Sequence, residues 1–116
     1  MGSFTAGIVA NIYDSKGSRF AGDPRYVLER VMKHARELGY VPHMGPEYEF
    51  FLFKLDANGR PIPKPSDSGR YFEQLPMDAG EAVRKKVSLY ANEMGFDAEA
   101  SHHEVAPGQH EIDLRY

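Results

Sequence analysis

The chain contains no cysteine, which excludes a disulfide framework and any thiolate zinc site. That absence fits a reducing, cytoplasmic setting. No apolar run approaches the about 20 residues that a membrane helix requires, and no signal-peptide pattern opens the chain, so no membrane partner is expected. Basic residues are not in excess either. The 14 Lys and Arg stand against 17 Asp and Glu, a net charge of −3, which argues against nucleic acid as a partner. At 116 residues the chain is one domain or a piece of a larger one. Its apolar share of 41% suffices for a core. Met1-Gly2-Ser3 reads as a cloning remnant, so residues 1–5 are set apart from a folded part at 6–116.

What the chain does have is carboxylates in a telling arrangement. In the stretch Glu99-Ala-Ser-His-His-Glu104-Val-Ala-Pro-Gly108-Gln-His-Glu111, two glutamates flank a Pro-Gly turn. A tight turn centred between Pro107 and Gly108 folds this stretch into a hairpin with Glu104 directly opposite Glu111. Like charges opposed across two strands are destabilising; a bound divalent cation reverses that sign. Oxygen-only ligands suit a hard ion, Mg²⁺ or Mn²⁺, better than zinc. A second pair lies in Gly45-Pro-Glu47-Tyr-Glu49-Phe-Phe-Leu-Phe53, whose aromatic and branched residues mark a strand. Side chains alternate along a strand, so Glu47 and Glu49 share one side, and Tyr48, Phe50 and Leu52 form a packing face on the other. A solvated strand end would explain Glu47 and Glu49 alone. Together with the hairpin pair, a carboxylate metal cluster explains them better, because charged groups are rarely buried unless paired or metal-bound.

Residues 6–13 read as a short strand stopped by Asp14-Ser15-Lys16-Gly17. Asp23 as N-cap and Pro24 at the first helical position open a helix, with Leu28, Val31, Met32, Ala35 and Leu38 as its core stripe and Gly39 as its stop. A strand over about 44–55 ends at the turn cluster Asp56-Ala57-Asn58-Gly59. Residues 60–76 hold four of the eight prolines and read as a long loop of the kind that is often functional. Asp78-Ala79-Gly80-Glu81 matches a capping box. It opens a second helix with a buried face of Val83, Val87, Tyr90, Ala91 and Met94, while Arg84, Lys85 and Lys86 fall on the solvated side. Hairpin strands at about 96–103 and 109–115 complete the order β-α-β-α-β-β. The expected fold is α+β, a largely antiparallel sheet with two helices on one face. The other face is left to gather Glu47, Glu49, Glu104 and Glu111. Ending at Tyr116 leaves the last strand as an uncovered edge, a pairing liability that suggests truncation of a larger protein and self-association through that edge.

Because neighbouring strand residues face opposite ways, only one of His102 and His103 can face the carboxylates, and a histidine there is more often an orienting partner than a ligand. His110 reads as structural. Gln109 and Asp113 read as residues that orient neighbours, and Arg115 as an ion-pair partner of Asp113 or Glu111.

These motifs resemble glutamine synthetase of the bacterial and archaeal type. The run 45–53 is similar to that family's first metal-binding strand and 99–112 to its second metal-binding segment. The likeness runs from about Ile8 to Tyr116, the first part of the family's catalytic domain. The resemblance implies ATP-dependent ligation of ammonia to glutamate through a γ-glutamyl phosphate. It implies that Glu49, Glu104 and Glu111 hold one Mg²⁺ or Mn²⁺, that Glu47 ligates a second, and that Glu99 contacts the nucleotide. It implies a ring-shaped homo-oligomeric parent with a small N-terminal domain and downstream metal and phosphate ligands that this chain lacks, so the isolated chain is expected to show no turnover. Two alternatives stand beside this reading. One is a related ligase that joins glutamate to another amine; the other is a metal- or nucleotide-binding fragment without catalysis.

Overall fold

The computed structural model describes residues 6–116; the cloning remnant expected at residues 1–5 lies outside the described residues. The chain divides into two compact units, one ending at His43 and the other running from Met44 to Tyr116.

In the first unit, helix α1 (Pro24–Glu37) begins as its sequence dictates. The Asp23 side chain accepts the Arg25 N–H, Pro24 needs no partner for a missing donor, and Leu38 and Gly39 (φ 87°) end the helix. Asp23 is buried and also accepts the Ile12 N–H at 3.2 Å and Arg19 at 3.4 Å. The hydrogen bond from Ile12 leads the influences that hold its carboxyl below the ordinary range. Two expectations fail here. Residues 6–13 form no strand, because a strand exists only by pairing and the described residues offer this stretch a single bridge, Tyr13 to Arg19. The stripe on α1 is not a core either. Leu28, Val31 and Leu38 are exposed and only Met32 and Ala35 are half-buried, since the described residues of this unit form no sheet to lie under them.

The second unit is built on a three-stranded antiparallel sheet. Strands β1 (Glu47–Phe51), β4 (Ala98–His103) and β5 (Gln109–Leu114) lie in the order β1-β5-β4. The final strand is therefore central and not an edge, which removes the motive for self-association through it. The expected long strand at 44–55 breaks at Leu52. Its N–H goes to the Gly108 carbonyl and its carbonyl to the Ser66 N–H, so the chain leaves one sheet there and enters another. That second sheet pairs β2 (Phe53–Leu55) with β3 (Pro61–Pro65), and β3 occupies part of the expected loop. Three prolines are tolerated in β3 because it pairs on one side only and irregularly.

Helix α2 (Glu81–Glu93) lies against β4 and β5. Its N-cap is Gly80, with no side-chain cap. Asp78 stands two residues before the N-cap, too early for the expected capping box, and instead accepts the Gly80 N–H at 2.9 Å. Along β5, His110, Ile112 and Leu114 alternate with Gln109, Glu111 and Asp113. The register Tyr48↔Ile112, Phe50↔His110 and His103↔His110 assigns Tyr48, Phe50 and His103 to the helix face. Glu47↔Asp113, Glu49↔Glu111 and His102↔Glu111 assign Glu47, Glu49 and His102 to the opposite one.

The interior of this unit is unusual. Ile112 is the only buried apolar residue among the described ones, whereas Asp78, Arg84, His103, His110 and Glu111 are all buried. The α2 residues expected to be buried are largely exposed: Val83, Val87, Tyr90 and Met94 remain accessible and Ala91 is half-buried. With Tyr48, Phe96, Ile112 and Leu114, four of the five (all but Val83) line a wholly apolar groove of about 490 Å³. The position expected to face water, Arg84, is the one α2 residue that is buried.

Candidate metal centre

The hairpin that carries the candidate ligands folds in a different register from the expected one. His103 pairs with His110 and His102 with Glu111, and the Glu104 N–H donates to the Gln109 carbonyl at 2.8 Å. The loop is thus 105–108, longer than a two-residue turn, with Gly108 at φ 69° supplying the left-handed residue that closes it. The slip is by an even number of residues, so every side chain keeps its face. Glu104 and Glu111 become diagonal neighbours instead of opposed ones.

All four expected carboxylates border one cavity of about 490 Å³, lined also by Tyr71, Phe72, His102 and Asp113. Within it the closest gathering is His102, Glu104 and Glu111, whose donor atoms lie within 4.8 Å of one another. His102 Nε2 stands 2.9 Å from Glu104 Oε1 and 3.3 Å from Glu111 Oε2. Glu104 is held below the usual carboxylate range, first by the Val105 N–H. It is therefore ionised, and the His102 nitrogen is the donor. Glu111 behaves oppositely: burial, then contact with Glu104 and Asp113, pushes its carboxyl up to about 7. A buried carboxylate whose charge is opposed by burial and by the like-charged Glu104 and Asp113 is what a divalent cation would relieve.

Glu49 faces Glu111 across the strands, but its carboxylate accepts the Gln109 side-chain amide at 2.6 Å. Glu47 faces Asp113. Gln109 thus orients a neighbour, as expected. Glu99 is not brought to this group. It sits at the β4 irregularity, is exposed, and pairs with Arg115 at 3.6 Å. Arg115 pairs with Asp97 and Glu99, not with Asp113 or Glu111, because its strand direction carries it past the Asp97 end of β4.

The sequence reading missed Tyr71 and Phe72. Phe72 stacks on the His102 ring at 4.5 Å and Tyr71 meets it edge-on at 5.4 Å, which covers one side of the cavity. Phe72 takes φ 59° and donates its N–H to the His103 carbonyl at 2.9 Å. Such a backbone costs about 1–3 kcal/mol outside glycine and persists where surroundings enforce it. An aromatic pair inside a proline-rich loop was the available signal.

Also missed was a polar cluster on the helix face. Asp67 receives N–H bonds from Gly69, Ala79 and Gly108 and a ring N–H from His103 at 2.9 Å. Burial works against its charge, but these donors outweigh it and depress its carboxyl. His103 meets two acceptors, Asp67 through Nε2 and the Glu104 carbonyl at 2.6 Å through Nδ1. Both nitrogens donate, so the ring is an imidazolium; burial opposes this, and the bonds to Asp67 and Glu104 override it and raise the group. His110 is the converse. Its Nδ1 accepts from Arg84 Nη1 at 2.7 Å, so it is neutral, and burial with the charges of Arg84 and His103 lowers it. Arg84 also grips both oxygens of Asp78, at 3.0 and 2.5 Å. Two anions, the half-buried Asp67 with its side chain 4% exposed and the buried Asp78, thus balance two buried cations, Arg84 and His103. The group has metal-ligand residue types, but Arg84 already supplies the cation.

Packing there leaves no slack. A Cβ on Gly80 would lie 2.2 Å from His110 Cε1, and that ring is fully buried. Gly80→Ala is therefore expected to destabilise the chain by about 1–3 kcal/mol or more, read as a lower urea midpoint. An unchanged midpoint would mean that the ring can move aside.

An α+β unit with a helix on one face and a ring of carboxylates on the other is the class that fold and site define. Residues 21–116 match the family model for the glutamine synthetase catalytic domain. The chain is 50% identical over 111 residues to a glutamine synthetase of Methanosarcina mazei, and 51% identical over 112 residues to one of Staphylococcus aureus. Against one of Thermotoga maritima the identity is 44% over 115 residues. These alignments cover 96–99% of this chain and 25–26% of the relatives, so the chain spans about a quarter of their length. A cryo-electron microscopy structure of Plasmodium falciparum glutamine synthetase shares the fold, with a TM-score of 0.66 at 22% identity, over 91% of this chain and 27% of that one. The chain belongs to the glutamine synthetase catalytic-domain family. No helix in the described residues is long and apolar enough to cross a membrane.

Proposed function

We propose that this chain is the segment of a glutamine synthetase that supplies carboxylates for its divalent cations, in an enzyme that joins ammonia to glutamate using ATP. The observation that carries the proposal is the convergence of His102, Glu104 and Glu111 in a cavity that Glu47 and Glu49 also line. Glu49, Glu104 and Glu111 would hold one Mg²⁺ or Mn²⁺, Glu47 a second, and Glu99 would touch the nucleotide. When bound, such ions neutralise the polyphosphate and the transferring phosphoryl group on the way to a γ-glutamyl phosphate. The chain's own residues prepare the place. His102 orients Glu104, Gln109 orients Glu49, and Phe72 and Tyr71 limit water at the imidazole. The parent would work in the cytoplasm as a homo-oligomeric ring, with its remaining ligands on segments outside this chain, so these 116 residues alone turn over no glutamate.

The test is a calorimetric Mn²⁺ titration of the chain at neutral pH. Saturable uptake of the ion is expected. A chain that is folded by circular dichroism and takes up no Mn²⁺ defeats the reading that these carboxylates form a site by themselves.

A further inference from the structure

The loop that separates Glu104 from Glu111 is tied down from behind. Asp67 Oδ1 accepts the Gly108 N–H at 2.9 Å and the His103 Nε2–H at 2.9 Å. The same His103 ring donates from Nδ1 to the Glu104 carbonyl at 2.6 Å. One carboxylate therefore reaches both ends of loop 105–108. Glu104 is fixed on each side of its Cα, since its N–H goes to the Gln109 carbonyl. The loop is also pressed onto its neighbours: a Cβ on Gly108 would meet the Leu52 carbonyl oxygen at 2.8 Å and Ser66 N at 3.2 Å. Asp67 comes from a segment far away in sequence, and its remaining bonds anchor it to Gly69 and Ala79. It thus links the loop to the start of α2.

We propose that Asp67 is a positioning residue, which through Gly108 and the His103 ring fixes both ends of loop 105–108 and so sets where Glu104 and Glu111 present their carboxylates. The second half of this statement rests on the metal-site reading above; the clamp itself does not. Buried groups that orient ligands typically change metal affinity by about 10–100-fold when removed.

The experiment compares wild type with Asp67→Asn, which keeps the shape and removes the charge. One readout is amide exchange at Gly108 and Glu104 by NMR without metal; the other is the Mn²⁺ dissociation constant. Exchange at Gly108 is expected to quicken by about tenfold or more while α2 amides keep their protection, and Mn²⁺ affinity to fall by about 10–100-fold. Ile112→Val weakens the same sheet without touching these bonds, and should leave the affinity unchanged. If Asp67→Asn does not fold, His103→Asn decides by the same readouts, since it can keep a donor toward the Glu104 carbonyl while cutting the tie to Asp67. Wild-type protection at Gly108 with unchanged affinity in a folded variant overturns the proposal, as does an equal loss of affinity in Ile112→Val. If the wild type takes up no Mn²⁺ while Asp67→Asn still quickens exchange at Gly108, the metal-site reading fails and the clamp stands.

Discussion

Arg84→Met is expected to remove about 3–5 kcal/mol of stability, the usual effect of breaking a buried pair by deleting one partner. Arg84 and Asp78 are 5% and 1% exposed, so methionine would leave an anion with neither water nor counter-charge. His110 Nδ1 would lose its donor as well. Small domains have only about 5–15 kcal/mol in total, so this single change approaches unfolding. Arg84→Lys keeps the charge but cannot span both oxygens of Asp78 and also reach His110, and should fall between wild type and Arg84→Met. The diagnostic comparison is the double variant Asp78→Asn/Arg84→Met. If uncompensated charge is the cause, the double variant is more stable than Arg84→Met alone. Urea unfolding followed by circular dichroism measures all three. A loss under about 1 kcal/mol for Arg84→Met would mean that water reaches Asp78.

Arg84 also shows where reading the sequence stops. It sits in the run Arg84-Lys85-Lys86, and local composition says only that such a run is solvated. What buries it are partners at Asp78 and, 26 positions away, His110. Long-range polar pairs leave no periodic signature, and Asp67, whose loop partner lies 41 positions away, is invisible for the same reason. Alternation in strands is local and was legible: Glu47 and Glu49 share a face, as do Glu104 and Glu111, and His102 and His103 part company across the sheet. Register was less legible than face. Whether the turn holds two residues or the four of 105–108 depends on the hydrogen bond that Gly108 donates to Asp67 and the one it accepts from Leu52, both partners outside the hairpin. The apolar stripes were read correctly as stripes. Their exposure could not be read, because a stripe does not say what covers it.

The carboxylates facing the cavity yield the other large effect. Glu111 titrates at about 7 in the fold against an ordinary 4.5. Between those values the folded chain holds the extra proton, so this group's contribution to stability is fully present below about 4.5 and is lost as pH rises through about 7. A divalent cation needs the ionised form and competes with that proton. Its apparent affinity should therefore drop about tenfold for each pH unit below 7, or about 100-fold by pH 5. The expected result is a clear rise in Tm with Mn²⁺ at pH 7.5 and almost none at pH 5. Glu104→Gln/Glu111→Gln removes both the titration and the site. Its Tm should not respond to Mn²⁺ at either pH, and without metal at pH 7.5 it should exceed the wild type, because the like-charge repulsion is gone. That opposition between stability and cation binding separates a ligand site from a merely solvated acidic patch. Equal Tm shifts at the two pH values, or a response that survives in the double variant, would place the cation elsewhere.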